Sequence, residues 1–260
     1  MTVPRIHVSR PPQGRTLELE GDDFRYIRNV LRLRTGDLLT VFDGEGTEYE
    51  SVVKDYAAKR VILEVVSRKN AERPPFSLTL AQSLAKGDKM DFIIQKATEL
   101  GATRIVPFIS TRSVPKLSDE KAGSRTARWR KIAVESSRQC GRAFIPEVTE
   151  VKSFEEMLTL AEGVSLPIIF WEEEKETGIG DILRDTRHRA ADDIFVVIGP
   201  EGGFTAGEVD LAQRHGLIPA SLGSTVMRTE TAPIAVLSII QYEKGAFKPS
   251  PHTKEAHHVP

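Results

Sequence analysis

The rhythm of apolar and polar positions changes near residue 75. Before it, short β-rich runs stand apart: LTVF (39–42), YESVV (49–53) and RVILEVV (60–66). Gly36-Asp37 and Asp43-Gly44-Glu45-Gly46 punctuate them as turns. Runs of this composition bounded by glycine and aspartate read as strands, and their spacing points to a small β-barrel or sandwich. Pro74-Pro75 marks a linker, because a proline biases its predecessor away from helix.

Beyond the linker, strands alternate with helices. SLTLAQSL (77–84) reads as a strand, and Met90, Ile93, Ile94, Ala97 and Leu100 fall on one helical face that Gly101 closes. RIVPFI (104–109), PIIFW (167–171) and IFVVIG (194–199) are further strands. A basic helix over Ala127–Cys140 buries Trp129, Ile132 and Ala133, with Cys140 at its margin. Thr205 with Glu208 three residues on forms a capping box. SLG (221–223) is expected to end the last strand, and Thr231 to cap a final helix with Pro233 in its first turn. Strand–helix alternation of this kind makes an α/β domain on a parallel sheet. The predicted division is residues 1–72 as the β-domain, 73–247 as the α/β domain and 248–260 as a tail.

Charge alters the picture more than composition does. The net charge of −1 hides an uneven distribution. Between Asp23 and Arg34 four arginines (Arg25, Arg28, Arg32, Arg34) face one acid, and between Arg112 and Arg142 nine basic residues face three acids. Such clusters present a basic face to phosphates even on a neutral molecule, although each taken singly also fits a solvated helix face. One cysteine, Cys140, excludes a disulfide framework and a four-cysteine zinc site and suits a reducing compartment. The start, MTVPRIHVSRPPQGR, lacks the apolar run of a signal peptide, and no stretch reaches the length of a membrane-spanning helix. A cytoplasmic location is the expectation. The histidines of the tail, His252, His257 and His258, are too scattered to make a metal site, and no metal is expected.

In an open α/β sheet, ligands gather at the carboxyl ends of strands. Two loops qualify. Gly199-Pro200-Glu201-Gly202-Gly203-Phe204 follows an all-apolar strand, and its glycines permit tight turning and close approach of a flat ligand. Pro200 lacks an N–H, and neither the dinucleotide fingerprint nor the Walker A pattern is matched, which disfavours a nucleotide-binding oxidoreductase. Alone, this loop fits an ordinary strand-to-helix turn equally well. The second loop, Leu222–Ala232, carries Arg228 and Glu230 just ahead of a helix, a pair that by itself reads better as a surface ion pair. If both loops end neighbouring strands, they form one cleft.

Taken together, VVIGPEGGFTAGEVD (196–210) and LGSTVMRTETAPIAVLS (222–238) resemble the ribosomal RNA small-subunit methyltransferase E family. The resemblance continues in LAQSLAKGDKMDFIIQKATELGATRIVPF (80–108), RWRKIAVESSRQCGRAFIPEV (128–148) and VLRLRTGDLLTVFDGEGTEYE (30–50), and so spans nearly the whole chain outside the tail. Where relatives often carry histidines ahead of the VLR segment, this chain has Phe24-Arg25-Tyr26. The resemblance implies a SPOUT-type α/β domain with a deep trefoil knot, an exception to the rule that chains avoid knots, behind a PUA-like RNA-binding β-barrel. It also implies S-adenosylmethionine as cofactor, a homodimer through the knotted domain, and N3-methyluridine in 16S ribosomal RNA of the small subunit as product.

Carried onto this sequence, the resemblance and the loop chemistry give the cofactor to Gly199, Pro200, Glu201, Gly202, Gly203, Leu222, Gly223, Val226, Met227, Thr231 and Ala232. Uracil N3 holds a proton and is a poor nucleophile at neutral pH, so Arg228 is the expected partner of the uracil anion. Glu230 is the expected base, or the residue that orients Arg228. Arg5, Arg10, Arg25, Arg32 and Arg34 are expected at RNA phosphates; Gln139 and Arg142 are expected either to border the site, from this or a partner subunit, or to pack a helix end on the knot. The rivals are a related knotted enzyme acting on a ribose 2′-hydroxyl or on transfer RNA, and a non-catalytic RNA-binding protein of the same fold.

Overall fold

The computed structural model describes residues 3–12, 14–113 and 119–247. The chain separates into two compact units, one of residues 1–75 with 124–148 and the other of 76–123 with 149–260. A single boundary at residue 72 therefore misses one feature: the segment 124–148 clusters with the first unit. The expected tail, 248–260, lies outside the described residues.

The first unit is built on β1 (Arg5–His7), β2 (Thr16–Glu20), β3 (Leu38–Phe42), β4 (Thr47–Ala57) and β5 (Arg60–Asn70). They form one sheet in the order β1-β3-β4-β5-β2, antiparallel except for the β1–β3 pair. Alternation decides its inner face: Tyr49 and Val53 of β4 and Val61 and Leu63 of β5 are buried with Leu39 and Val41 of β3. Register shifts in β4 at Glu50/Ser51 and Val53/Asp55 are the irregularities that let a sheet curl around its core. Between β2 and β3 lie α1 (Gly21–Arg25) and a π-helical turn, Tyr26–Val30, whose Ile27 fills the core. This turn passes into Arg32, a non-glycine residue in the left-handed region (φ +55°).

The second unit carries β6 (Ser77–Ser83), α2 (Lys89–Glu99), β7 (Arg104–Phe108), α4 (Phe154–Ala161), β9 (Leu166–Phe170), α5 (Ile179–Arg184), β10 (Asp193–Ile198), α6 (Ala206–Arg214), β11 (Ile218–Ala220) and α7 (Ala232–Glu243). The residues of α3 (Asp119–Cys140) are divided between the units, and β8 (Glu147–Val148) is a two-residue strand that closes the 124–148 segment. Strands of the second unit run β11-β9-β10-β6-β7, all parallel. The central β10 is buried along Ile194–Ile198, as a strand covered on both faces must be.

Several local expectations meet their physical outcome here. Met90, Ile93, Ile94 and Ala97 are buried along α2. Thr205 accepts from the Glu208 N–H at 3.2 Å while Glu208 accepts from the Thr205 N–H at 2.9 Å, completing the capping box. Glu208 also accepts from Thr111 N at 2.8 Å, so its buried carboxylate ties the segment after β7 to the start of α6. Trp129 and Ala133 are buried in α3, whereas Ile132 is only partly covered and Cys140, the last residue of the helix, is exposed. SLG does not end β11, which stops at Ala220; Ser221 makes only an isolated bridge to Gly178, and the chain from Leu222 is loop. Thr231 stands at the N-cap of α7 with helical backbone angles and makes no capping hydrogen bond, since only an extended N-cap turns its hydroxyl toward the free N–H groups.

The loop after β10 is fastened by an aromatic trio. Phe204, 1% exposed, lies with its ring centre 6.4 Å from Phe108 and 6.0 Å from Phe154. Phe204→Ala removes that anchor and is expected to lower stability by about 3–5 kcal/mol in chemical denaturation. A loss under about 1 kcal/mol would show that the loop is held elsewhere.

Candidate active site

The carboxyl ends of β9, β10 and β11 open on one cleft of about 430 Å³. One wall is Gly199, Pro200, Glu201 and Gly203 from the loop after β10; the facing wall is Ser221–Thr229 with Ala232; the third is Phe170, Trp171, Glu172 and Lys175 after β9. Two loops almost thirty residues apart in sequence thus meet, and hydrogen bonds hold them there. Thr229, 5% exposed, donates its hydroxyl to Gly199 O at 2.7 Å. Gln82, wholly buried at the end of β6, donates from Nε2 to Thr229 Oγ1 at 3.1 Å and to Ser83 O at 3.0 Å. Among the described residues its Oε1 has no hydrogen-bond partner, and neither has the buried indole N–H of Trp171.

The glycines earn their places locally. Gly203 has φ +68°, and a Cβ there would collide with the Glu172 carboxylate. A Cβ on Gly199 would press on the Phe204 ring at 3.1 Å. Arg112 clamps the turn from outside by donating to Gly202 O at 2.9 Å and Phe204 O at 3.3 Å.

Charge in the cleft centres on Lys89, the first residue of α2. Its ammonium lies 3.0 Å from Glu201 Oε1 and 3.1 Å from Glu230 Oε2. The second contact is an ion pair, and buried Glu230 Oε2 makes no hydrogen bond among the described residues. Glu201 Oε1 also accepts from Lys86 N at 3.1 Å. Hydrogen bonding to Glu201 and attraction to both carboxylates raise the Lys89 ammonium above its ordinary value. Burial alone would raise both carboxyls; for Glu201 its own N–H, Lys89 and the Lys86 N–H outweigh it, and for Glu230 its own N–H, Lys89 and Arg228 do, so both lie below the usual range. Arg228 is exposed, and no hydrogen bond or ion pair engages its guanidinium among the described residues, while its carbonyl accepts from Thr231 N and Ala232 N to start α7.

An architecture of this kind has relatives. The RNA methyltransferase domain family matches residues 72–241, and the RNA methyltransferase PUA domain matches 19–66. Ribosomal RNA small subunit methyltransferase E of Bacillus subtilis is 34% identical over 88% of this chain and 90% of its own length. The chain belongs to the ribosomal RNA small subunit methyltransferase E family. The Synechocystis member is 33% identical over 86% of this chain and 72% of its own. The crystal structure of the Neisseria gonorrhoeae member, bound to S-adenosyl methionine, is 32% identical and superposes with a TM-score of 0.85 over 95% of this chain and all of that one.

In this methyltransferase E family member, Gly199, Pro200, Glu201, Gly203, Leu222, Gly223, Val226, Met227, Arg228 and Ala232 line the cleft. Gly202, Glu230 and Thr231 do not: Gly202 turns its carbonyl to Arg112, Glu230 reaches the cleft only through Lys89, and Thr231 lies exposed at the start of α7. Glu230 therefore pairs with Lys89 rather than closing on Arg228. Gln82, Lys89, Trp171 and Thr229 were not foreseen. Gln82 left a signal as the one amide in an apolar strand, but Lys89 looked like any helix-surface lysine.

In the first unit, Arg10, Arg25, Arg32, Arg34 and Gln139 are exposed. Arg25 pairs with Asp22. Arg5 is largely committed within the unit, pairing with Glu48 at 2.6 Å, donating to Arg142 O at 3.2 Å and lying 4.8 Å over the Phe42 ring. Arg142 is half-buried, and burial lowers its guanidinium from the ordinary value. Arg28 stands 5.7 Å over Phe24 and 5.6 Å over Tyr56, a cation–aromatic group the sequence did not single out. Among the described residues no group of three or more histidine, cysteine or acidic side chains is placed to hold a metal, and no helix is long and apolar enough to cross a membrane.

Thr229→Val keeps the side-chain shape but removes the short bond to the Gly199 carbonyl, which then keeps only the 3.4 Å contact from Gln82 Nε2. It should cost about 1–3 kcal/mol and speed hydrogen exchange in 222–231; unchanged exchange there would exclude Thr229 as the pin.

Proposed function

We propose that this chain is an S-adenosylmethionine-dependent methyltransferase acting on N3 of a uridine in 16S ribosomal RNA of the small subunit. The reading rests above all on the meeting of the 199–204 and 222–231 loops around a single cleft, held by Thr229 on Gly199. The residues fit the cofactor. The volume is that of an ordinary ligand pocket, Phe170, Ile198, Leu222 and Met227 give it apolar walls, and the glycines bring backbone groups close. Gly199, Pro200, Glu201 and Gly203 with Leu222, Gly223, Val226, Met227 and Ala232 would hold it. The cofactor supplies a methyl group on a sulfonium, which an apolar site activates by favouring loss of charge.

The protein's own contribution is position and electrostatics. Arg228, which lines the cleft and is unengaged among the described residues, would face the negative charge that grows on the uracil oxygens as N3 loses its proton. Glu230, kept ionised by its own N–H and by Lys89, is the proposed acceptor of that proton. Its lowered pKa makes it a weak base, so stabilisation of the anion by Arg228 carries the larger share. We also read the segment from Ser221 to Glu243 as the threaded part of a trefoil knot, the molecule as a homodimer through this domain, and its setting as the cytoplasm. The exposed Arg10, Arg25, Arg32 and Arg34 would take RNA phosphates, Arg5 would buttress them, and Gln139 and Arg142 would border the target nucleotide, which is turned out of its stack.

Incubation with labelled cofactor and small subunits from a strain lacking the enzyme, followed by nucleoside analysis, tests the reading: labelled N3-methyluridine is expected, and label on a ribose or on transfer RNA would overturn it. Arg228→Ala is expected to lower kcat about 10²–10³-fold and Glu230→Gln about 10²-fold, with cofactor affinity kept. The wild-type rate should fall on acidification only below the ordinary carboxylate range, because the ionised form persists down to the lowered pKa of Glu230. Near-normal turnover in both variants would remove these roles. For the first unit, Arg32→Ala combined with Arg34→Ala should reduce the slope of log affinity for RNA against log salt by about 1–2, and an unchanged slope would take these arginines off the phosphates.

A further inference from the structure

Lys89 occupies a position that its own helix disfavours. A cation at the first residue of α2 meets the positive end of the helix dipole, so its placement needs compensation from outside the helix. Two carboxylates give it: Glu201 from the loop after β10 and Glu230 from the loop after β11. The same ammonium therefore touches both walls of the cleft. It also decides the partner of Glu230. Arg228 is two residues away and equally cationic, yet the carboxylate rests on Lys89 and the guanidinium stays unengaged among the described residues. Glu230 Oε2 is buried and has no hydrogen bond among the described residues, and besides Lys89 the cation that acts on its charge is Arg228.

We propose that Lys89 is a positioning residue that clamps the two cofactor loops through Glu201 and Glu230 and, by occupying Glu230, keeps Arg228 available to the substrate. This rests on the roles proposed above for Arg228 and Glu230. The charged groups around the pair are Lys89 from α2, Glu201 from the facing loop, Arg228 from the same loop, and Glu172 and Lys175 on the third wall. The raised ammonium of Lys89 agrees with this arrangement, since it stays charged wherever the carboxylates are ionised.

The test uses the full chain with small subunits as substrate. Lys89→Met should lower kcat about 10–10²-fold with a smaller change in KM for RNA, move the acid limb of the rate profile to higher pH, and weaken S-adenosylmethionine binding several-fold in calorimetry. Lys89→Arg, which keeps the cation, should recover most of each. The double variant Lys89→Met with Glu230→Gln should turn over no worse than Glu230→Gln alone, because removing the carboxylate also removes the rival for Arg228. Normal kcat in Lys89→Met, or losses that multiply in the double variant, would overturn the positioning role. If Glu230→Gln alone proved fully active, the role of Glu230 in the reaction would fall. The clamp would still be read from cofactor affinity, and unchanged affinity in Lys89→Met would overturn it.

Discussion

The site depends on one short hydrogen bond, from the Thr229 hydroxyl to the Gly199 carbonyl at 2.7 Å. Thr229 is buried and Gly199 partly so, and a polar atom left unpaired away from water is costly, so the two loops have a reason to stay together. Gln82 reinforces the contact from the neighbouring strand and fixes the direction in which the Thr229 hydroxyl points. Residues flanking this pin, Arg228 and Glu230 on one side and Pro200 and Glu201 on the other, inherit their positions from it.

Around the pin, the second unit uses packing for rigidity and charge for selectivity. Phe204 is held in the Phe108–Phe154 cluster, so the turn before it cannot swing out without opening a cavity. Arg112 on Gly202 O and Glu208 on Thr111 N brace the same turn from outside. Ionisable groups inside the cleft are few. Their arrangement sets one paired cation, Lys89, beside the same cleft as Arg228, which is unengaged among the described residues.

Much of this was legible in the chain. Period-two alternation in β4 and β5, the all-apolar β10, the helical face of α2 and the Thr205 capping box each follow from local rules that tertiary contacts did not override. The two glycine-bearing loops could be named as partners because strands that end in a parallel sheet deliver their loops to one edge. What stayed hidden depends on long-range geometry. The clustering of 124–148 with the first unit has no composition signal, since α3 continues through the division as one helix. Thr231 carried the right residue type for a cap, but its backbone angles are set by the turn from Arg228. The assignment of Glu230 to Lys89 rather than Arg228 is invisible in a sequence where Arg228 is the nearer neighbour.

The Gln82–Thr229 hydrogen bond joins residues 147 positions apart. Contacts of such separation form late and slowly, because a long loop must close before they give anything back. A nascent chain that has reached only Ser221 already holds every strand of the parallel sheet, yet it lacks a whole wall of the cleft. Competence to bind a ligand there thus arrives with synthesis of the last helix, and incomplete chains are silent rather than partly active.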